Sequence, residues 1–153
     1  METKTLKYFA YGSNLCLTQL NERLRKEISP FKVVFMKDRE LFFPRKSETQ
    51  GGGVASFRKS KNKRLWGALF EVLESDLKKL DTAEGVEGRC YQRKNVVVYD
   101  KCEKEHDAIT YKAIIVGEFP PSKRYMKKII CGANQCELPP CYITYLETIK
   151  TED

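Results

Sequence analysis

Eight residues near the N-terminus, Tyr8-Phe9-Ala10-Tyr11-Gly12-Ser13-Asn14-Leu15, constrain this chain more than any other stretch. Leu6, Tyr8 and Ala10 alternate with Lys7, Phe9 and Tyr11, which is the period of a strand. Gly12 ends the strand, because glycine takes turn dihedrals without steric cost. Ser13 and Asn14 are favourable N-cap types, and Cys16, Leu17, Leu20 and Leu24 follow at helical spacing. Gln19, Glu22, Arg23 and Arg25 fill the polar positions of that helix. A strand, a tight turn and a helix start leave backbone N–H groups free at one point. Such a point can hold a carboxylate, a phosphate or a carbonyl oxygen. On spacing alone, an ordinary capped turn is the simpler description.

The chain has 153 residues, enough for one domain, 1–153, with a sizeable core. Its net charge of +7 raises the question of nucleic acid. The basic residues are spread widely, and the one dense run, Arg58-Lys59-Ser60-Lys61-Asn62-Lys63-Arg64, has no interleaved aromatics. It reads as a solvated hairpin loop between two strand-like segments. No signal peptide, transit peptide or membrane-spanning run is visible, so the six cysteines read as free cytosolic thiols and the expected location is cytoplasmic. Cys131, Cys136 and Cys141 lack a usual zinc spacing and have no histidine nearby.

Taken in order, the pattern is mixed. Phe31 to Met36 and Leu41 to Phe43 read as strands, with Pro44 closing that region and Arg45 to Gly53 a polar loop. Val54 to Phe57 and Leu65 to Val72 are further strands, followed by a short helix that Ser75 can cap and that ends near Gly85. Cys90 to Tyr99 and Ile109 to Val116 read as paired strands joined by a charged turn, Asp100 to Asp107. Ser122 opens a helix with Met126, Ile129 and Ile130 on its apolar face, and Pro139-Pro140 starts a last one. Six or seven strands with four irregularly placed helices do not suit a doubly wound parallel sheet. The expected fold is α+β, with a mixed, barrel-like sheet flanked by helices.

The candidate chemistry is sparse. The single histidine, His106, falls in the charged turn and reads as a surface residue rather than a triad member. Gly51-Gly52-Gly53 has neither the spacing nor the following helix of a phosphate loop. What remains is Leu80-Asp81-Thr82-Ala83-Glu84-Gly85-Val86-Glu87-Gly88, three acids at a helix end among apolar residues and glycines. Glutamate at a helix C-terminus opposes the dipole, so it is there for solvation or for a task, and position alone favours solvation.

Four segments, in order, make the chain resemble the γ-glutamylcyclotransferases over nearly its whole length. Tyr8 to Leu15 looks like the family's substrate loop, which would give Tyr8, Phe9, Ala10, Tyr11, Gly12, Ser13, Asn14 and Leu15 a substrate-binding part. Gly52-Gly53-Val54-Ala55 with Leu65-Trp66-Gly67 looks like its central strands. Leu80 to Val86 looks like the segment bearing the catalytic glutamate, which falls on Glu84. Pro120 to Cys131 resembles the late helix that supplies a substrate-contacting tyrosine, here Tyr125, and Tyr91 matches a second one. The chain departs from the pattern after Ile130-Cys131, where it is one residue short.

The resemblance implies a γ-glutamylcyclotransferase-like fold and cyclisation of γ-glutamyl amino acids to 5-oxoproline, with Glu84 as general acid and base. It implies a small-molecule γ-glutamyl substrate, no cofactor, no metal and a homodimer, and it gives no reason to expect nucleic acid or membrane. The same fold and chemistry acting on glutathione or a γ-glutamylamine, and a non-catalytic relative that binds a metabolite or a protein, stay open as alternatives.

Overall fold

The structure is a computed structural model that describes residues 4–86, 88 and 90–152. Five strands close into a barrel in the order β1-β3-β2-β4-β5. Strand β1 (Leu6–Ala10) lies between β3 and β5, antiparallel to β3 with Tyr8 opposite Phe70, and parallel to β5 through Tyr8 and Ile109. Because it has neighbours on both sides and helices outside, residues 8–11 are buried on both faces rather than one. A 3-10 turn, Ser13–Leu15, and helix α1 (Leu17–Leu24) follow at once.

Strands β2 (Lys32–Ser47) and β3 (Gly52–Val72) form a long antiparallel pair. Here the structure corrects the sequence reading. Pro44 does not close the region, and Arg45 to Ser47 continue the strand. Pro44 sits in a register shift between Phe42 and Arg45, where its missing N–H breaks no regular ladder bond, and its carbonyl takes the N–H of Val116 at 3.0 Å and of Gly117 at 3.1 Å. Only residues 48–51 turn, and Gly52 and Gly53 open β3.

The basic run is no hairpin loop either. Strand β3 passes through it, with Lys37 opposite Arg64 and Arg39 opposite Lys59, so residues 60–63 bulge from the ladder. Arg58 meets Glu40 and Glu118 at 2.7 and 2.6 Å, Lys63 lies 3.7 Å from Glu40, and the Arg64 guanidinium covers the Phe35 ring. Two merged stretches explain why five strands replace the six or seven expected.

Helix α2 (Glu74–Ala83) starts one residue before Ser75, and Asp76 caps it by accepting the Leu73 N–H at 2.9 Å. Strands β4 (Tyr91–Asp100) and β5 (Glu105–Ala113) pair as expected, with a shorter turn. His106 belongs to β5. Its side chain is 8% exposed and its Nε2 lies 3.0 Å from Asp100 Oδ2, so it is a covered partner of a carboxylate rather than a surface residue. Two residue pairs, Val34 with Asp100 and Phe35 with Tyr99, join β4 to β2 and close the barrel.

Helix α3 (Lys123–Gln135) is capped by Ser122, whose Oγ accepts the Tyr125 N–H at 3.1 Å, and packs on the 3-10 turn. Gly132 permits that approach, since a Cβ there would overlap the backbone of Leu15 and Cys16. Helix α4 (Pro140–Glu147) packs on α3. Phe9, Leu15, Leu20, Leu69, Phe70, Leu77, Leu80 and Ile129 are fully covered and tie barrel to helices; burying each such side chain is worth roughly 1.5–3 kcal/mol. All six cysteines are free thiols.

Candidate active site

Glu84 owes its position to the way α2 stops. It is the C-cap residue, and Gly85 follows with φ +67, a left-handed value suited to glycine. The Val86 N–H returns to the Asp81 carbonyl at 3.0 Å, and the Gly85 N–H to Thr82 at 3.2 Å. These are the two bonds of a Schellman ending. The chain reverses there, and the Glu84 carboxylate reaches Asn14 Nδ2 at 3.3 Å and Arg23 Nη1 at 2.9 Å.

The other acids of that segment have different fates. Asp81 is gripped by Arg93 through two bonds of 2.7 Å and accepts the Tyr111 hydroxyl at 2.6 Å. Glu87 lies outside the described residues.

The 3-10 turn brings its residues to the same place. Asn14 donates through Nδ2 to the Tyr8 hydroxyl at 2.8 Å, while its Oδ1 accepts from Gln19 and Arg23 at 3.1 and 2.9 Å. Gly12 stands so close to β3 that a Cβ would lie 3.3 Å from the Ala55 Cβ. Ala55 anchors both later tyrosines by its backbone. Its N–H donates to the Tyr125 hydroxyl at 2.9 Å, and its carbonyl accepts the Tyr91 hydroxyl at 2.7 Å.

Two connected spaces result. An inner recess of about 30 Å³ is lined by Tyr8, Tyr11, Gly12, Ser13 and Asn14 from the N-terminal stretch, with Ala55, Glu84, Tyr91, Thr110, Tyr111 and Tyr125. An outer cavity of about 300 Å³ shares Ser13, Glu84, Tyr91 and Tyr125 with it and adds Arg23, Arg45, Lys46 and Gln50. Glu84 therefore stands at the junction.

The Glu84 side chain is 14% exposed. Burial pushes its carboxyl above the usual range, and the Arg23 guanidinium with the Asn14 amide opposes that only in part. Burial also pushes the hydroxyls of Tyr8, Tyr11, Tyr91 and Tyr125 well above their ordinary value, so at neutral pH they are protonated hydrogen-bonding groups. A carboxylate with a raised pKa, ringed by neutral hydroxyls and one guanidinium, can exchange a proton with a bound amine.

Tyr8, Tyr11, Gly12, Ser13, Asn14, Glu84, Tyr91 and Tyr125 thus converge, although more than a hundred residues separate the first from the last. Phe9, Ala10 and Leu15 do not line the recess. All three are packed into the core, and Phe9 offers only its carbonyl, which accepts the Thr110 hydroxyl at 2.7 Å. The period of β1 turns Phe9 away from Tyr8, and Leu15 ends the 3-10 turn, which packs against α3.

Sequence reasoning missed Arg23, which reads as one polar position among four on α1. It missed Arg45 too, assigned to a loop. Ala55 contributes a backbone N–H and C=O, for which no side-chain signal exists. Among the described residues no cluster of three metal-ligating side chains occurs, and no helix is long and apolar enough to cross a membrane.

The sequence profile of the AIG2-like family matches residues 64–146. The chain is similar to γ-glutamylcyclotransferase of Bos taurus, at 33% identity over 150 residues, covering 95% of this chain and 79% of that protein. It is similar to γ-glutamylcyclotransferase of Homo sapiens, at 33% identity over 157 residues, covering 99% and 82%. A solved structure of a γ-glutamyl cyclotransferase superposes with a TM-score of 0.92 at 31% identity, covering 98% of this chain and 90% of that one.

Proposed function

The chain belongs to the γ-glutamylcyclotransferase family of enzymes, and on that premise we propose that it converts γ-glutamyl amino acids to 5-oxoproline and the free amino acid, with Glu84 as general acid and base. The observation that carries the reading is the Glu84 carboxylate, largely buried at the junction of an inner recess and an outer cavity.

The reaction joins two atoms of one molecule. The α-nitrogen attacks the γ-carbonyl carbon, a new N–C bond closes a five-membered lactam, and the old amide C–N bond breaks. The α-ammonium gives up two protons over the reaction and the departing nitrogen takes up two, so a group between them need only relay. Glu84 holds that position in the proposed mode. The glutamyl chain lies in the outer cavity, its γ-carbonyl turned towards the Gly12-Ser13 turn at the recess, and the carboxylate lies beside the scissile amide.

Because nucleophile and electrophile share a molecule, the enzyme's main task is to hold the reactive fold. Well-oriented intramolecular attack corresponds to effective molarities of about 10⁵ M or more. Proton relay by one carboxylate adds roughly 10²–10⁴-fold. The backbone N–H groups of the Gly12-Ser13 turn would take the γ-carbonyl oxygen as it gains charge, a contact that helps most in the transition state. Tyr91 and Tyr125, already fixed to Ala55, would limit where the glutamyl chain can lie.

The test is release of 5-oxoproline, followed by mass spectrometry, from γ-glutamyl dipeptides, glutathione and γ-glutamyl-lysine. We expect product from the dipeptides with wild-type protein. Glu84→Gln keeps the shape and removes the base, so turnover should fall at least about 10²-fold with binding of a non-reactive γ-glutamyl analogue retained. Wild-type turnover by Glu84→Gln would refute the assigned mechanism.

A further inference from the structure

Arg93 on β4 directs its whole guanidinium at α2. Its Nε and Nη2 donate to the two carboxylate oxygens of Asp81 at 2.7 Å each, and its Nη1 and Nη2 donate to Glu74 at 3.2 and 2.8 Å. The two acids stand seven residues apart on α2, about two turns, and so share one face. Both pairs are two-pronged, the form in which a guanidinium fixes direction as well as charge. All three side chains stay partly open to water, Arg93 30%, Asp81 26% and Glu74 47% exposed, and an ion pair in that setting ordinarily adds little to stability. The clamp is better suited to setting geometry than to holding the fold.

What it sets lies at the end of the helix. The Asp81 carbonyl takes the Val86 N–H at 3.0 Å, one of the two bonds that stop α2 and turn Glu84 into the site. The Asp81 carboxylate takes the Tyr111 hydroxyl at 2.6 Å, and Tyr111 lines the inner recess. The Tyr111 carbonyl in turn accepts the Tyr11 hydroxyl. Asp81 is therefore tied by its backbone to the turn that carries Glu84, and by its side chain to the wall of the recess that Glu84 also lines. Burial works against its charge, but the Arg93 bonds and then the Tyr111 hydroxyl outweigh it and hold the carboxyl below its usual range, so at neutral pH Asp81 is a fixed anion.

The two acids of the clamp differ in what they reach. Glu74 is the first residue of α2, ten residues before Glu84, and lines neither cavity. Only the Asp81 half of the clamp leads to the site.

We propose that Arg93 and Asp81 are positioning residues for the reaction: with Tyr111 they fix the end of α2 against the recess, so that Glu84 stands where it can relay the proton. This rests on the cyclotransferase reading above and deepens it. In the proposed mode substrate is held by the Gly12-Ser13 turn and the tyrosines, so the clamp acts on the rate of the bound complex and not on binding.

The experiment measures kcat and KM for 5-oxoproline release from γ-glutamyl-alanine, with thermal melts, on Asp81→Asn, Arg93→Gln, Arg93→Lys and Glu74→Gln. Asp81→Asn keeps the shape and an acceptor for Tyr111 but presents an uncharged amide to Arg93. It and Arg93→Gln should lower kcat about tenfold or more with KM close to wild type, since a displacement on the order of 1 Å can cost about 10²-fold. Arg93→Lys can still reach one carboxylate and should recover part of the rate. Glu74→Gln removes the other half of the clamp and should leave kcat near that of wild type. Wild-type kcat in folded Asp81→Asn, a loss confined to KM, or a Glu74→Gln variant that loses as much rate as Asp81→Asn would overturn the inference and leave the cyclotransferase reading standing. Should Asp81→Asn melt below the assay temperature, Tyr111→Phe, which lacks one hydroxyl and keeps both ion pairs, decides in its place: lowered kcat with KM kept supports the clamp, and wild-type kcat overturns it. No 5-oxoproline from wild-type protein would overturn both.

Discussion

At the scale of single residues, Arg23 deserves as close a look as Glu84. Its guanidinium bonds both Glu84 and Asn14, so it fixes the carboxylate and holds down a proton affinity that burial has raised. The sign of its effect follows. The proposed base must be ionised, so kcat/KM rises with pH through the Glu84 pKa. Replacing Arg23 by Gln removes the attraction and leaves the burial, so that pKa rises further. The acid limb of the pH–rate profile should then move to higher pH, with activity lost on the acid side and regained on the alkaline side. Arg23→Lys should move it less. A purely structural role for Arg23 would lower the rate without moving the limb. Stability gives a companion check on Glu84. Its folded pKa lies above the unfolded one, so the folded form is favoured while the group is protonated, and ionisation works against the fold as pH rises. Glu84→Gln should therefore keep its Tm at neutral pH.

At the scale of elements, the end of α2 sets the site as firmly as any side chain. Gly85→Ala would put a side chain at φ +67, a cost of about 1–2 kcal/mol, and bring its Cβ to 3.3 Å from the Cys90 Sγ. We expect a Tm lower by several degrees and a larger loss of turnover, because relaxing the left-handed residue re-aims Glu84. Gly85→Asn should be milder, since Asn tolerates that region. Thermal melts and product release on both variants check this. The same element shows what the sequence could reveal. Glycine after the last apolar residue marked the helix end, and the acid beside it stood out because it opposed the dipole. The turn after β1 was equally plain from its strand period and its glycine, but Ser13 and Asn14 are not its caps: they lie inside the 3-10 turn, and Cys16 holds the N-cap position of α1 without a side-chain cap bond. Pro44 misled, because a proline in a bulge looks like a proline that ends a strand, and with it went the placement of Arg45. The basic run at 58–64 misled in another way, since long strands outside the core carry no apolar alternation once ion pairs such as Arg58–Glu40 replace burial. Ala55 was beyond any reading of side chains.

At the scale of the whole molecule, closure of the barrel depends on a short seam. Only two pairs join β2 to β4, and Asp100, one of the four residues in them, is the hub of a polar cluster. It accepts from His106, then from the N–H groups of Lys104 and Cys102, with Lys32 at 3.5 Å. The His106 contact above all, then the Lys104 N–H, holds its carboxyl well below the usual carboxylate range. Since the folded pKa is depressed, Asp100 supplies stability above the unfolded value near 3.8, and that supply is lost as pH falls below it. Asp100→Asn should lower Tm by several degrees at neutral pH, and the gap to wild type should narrow as the solution is taken below about pH 4. Melting curves across that range decide it; a gap independent of pH would assign the seam's strength to shape alone. The order of strands also has a consequence in time. Tyr8 is made more than a hundred residues before Tyr125, yet β1 finds its neighbours only in β3 and β5, and the recess is completed only by Tyr125 on α3. At ordinary rates of synthesis, roughly 5–20 residues per second, the ribosome needs on the order of ten seconds between the two. Through that interval a nascent chain carries Tyr8-Phe9-Ala10-Tyr11 without its final partners, so this apolar stretch is open to a chaperone until the later elements arrive, and a chain released before α3 would leave the ribosome without its chemistry.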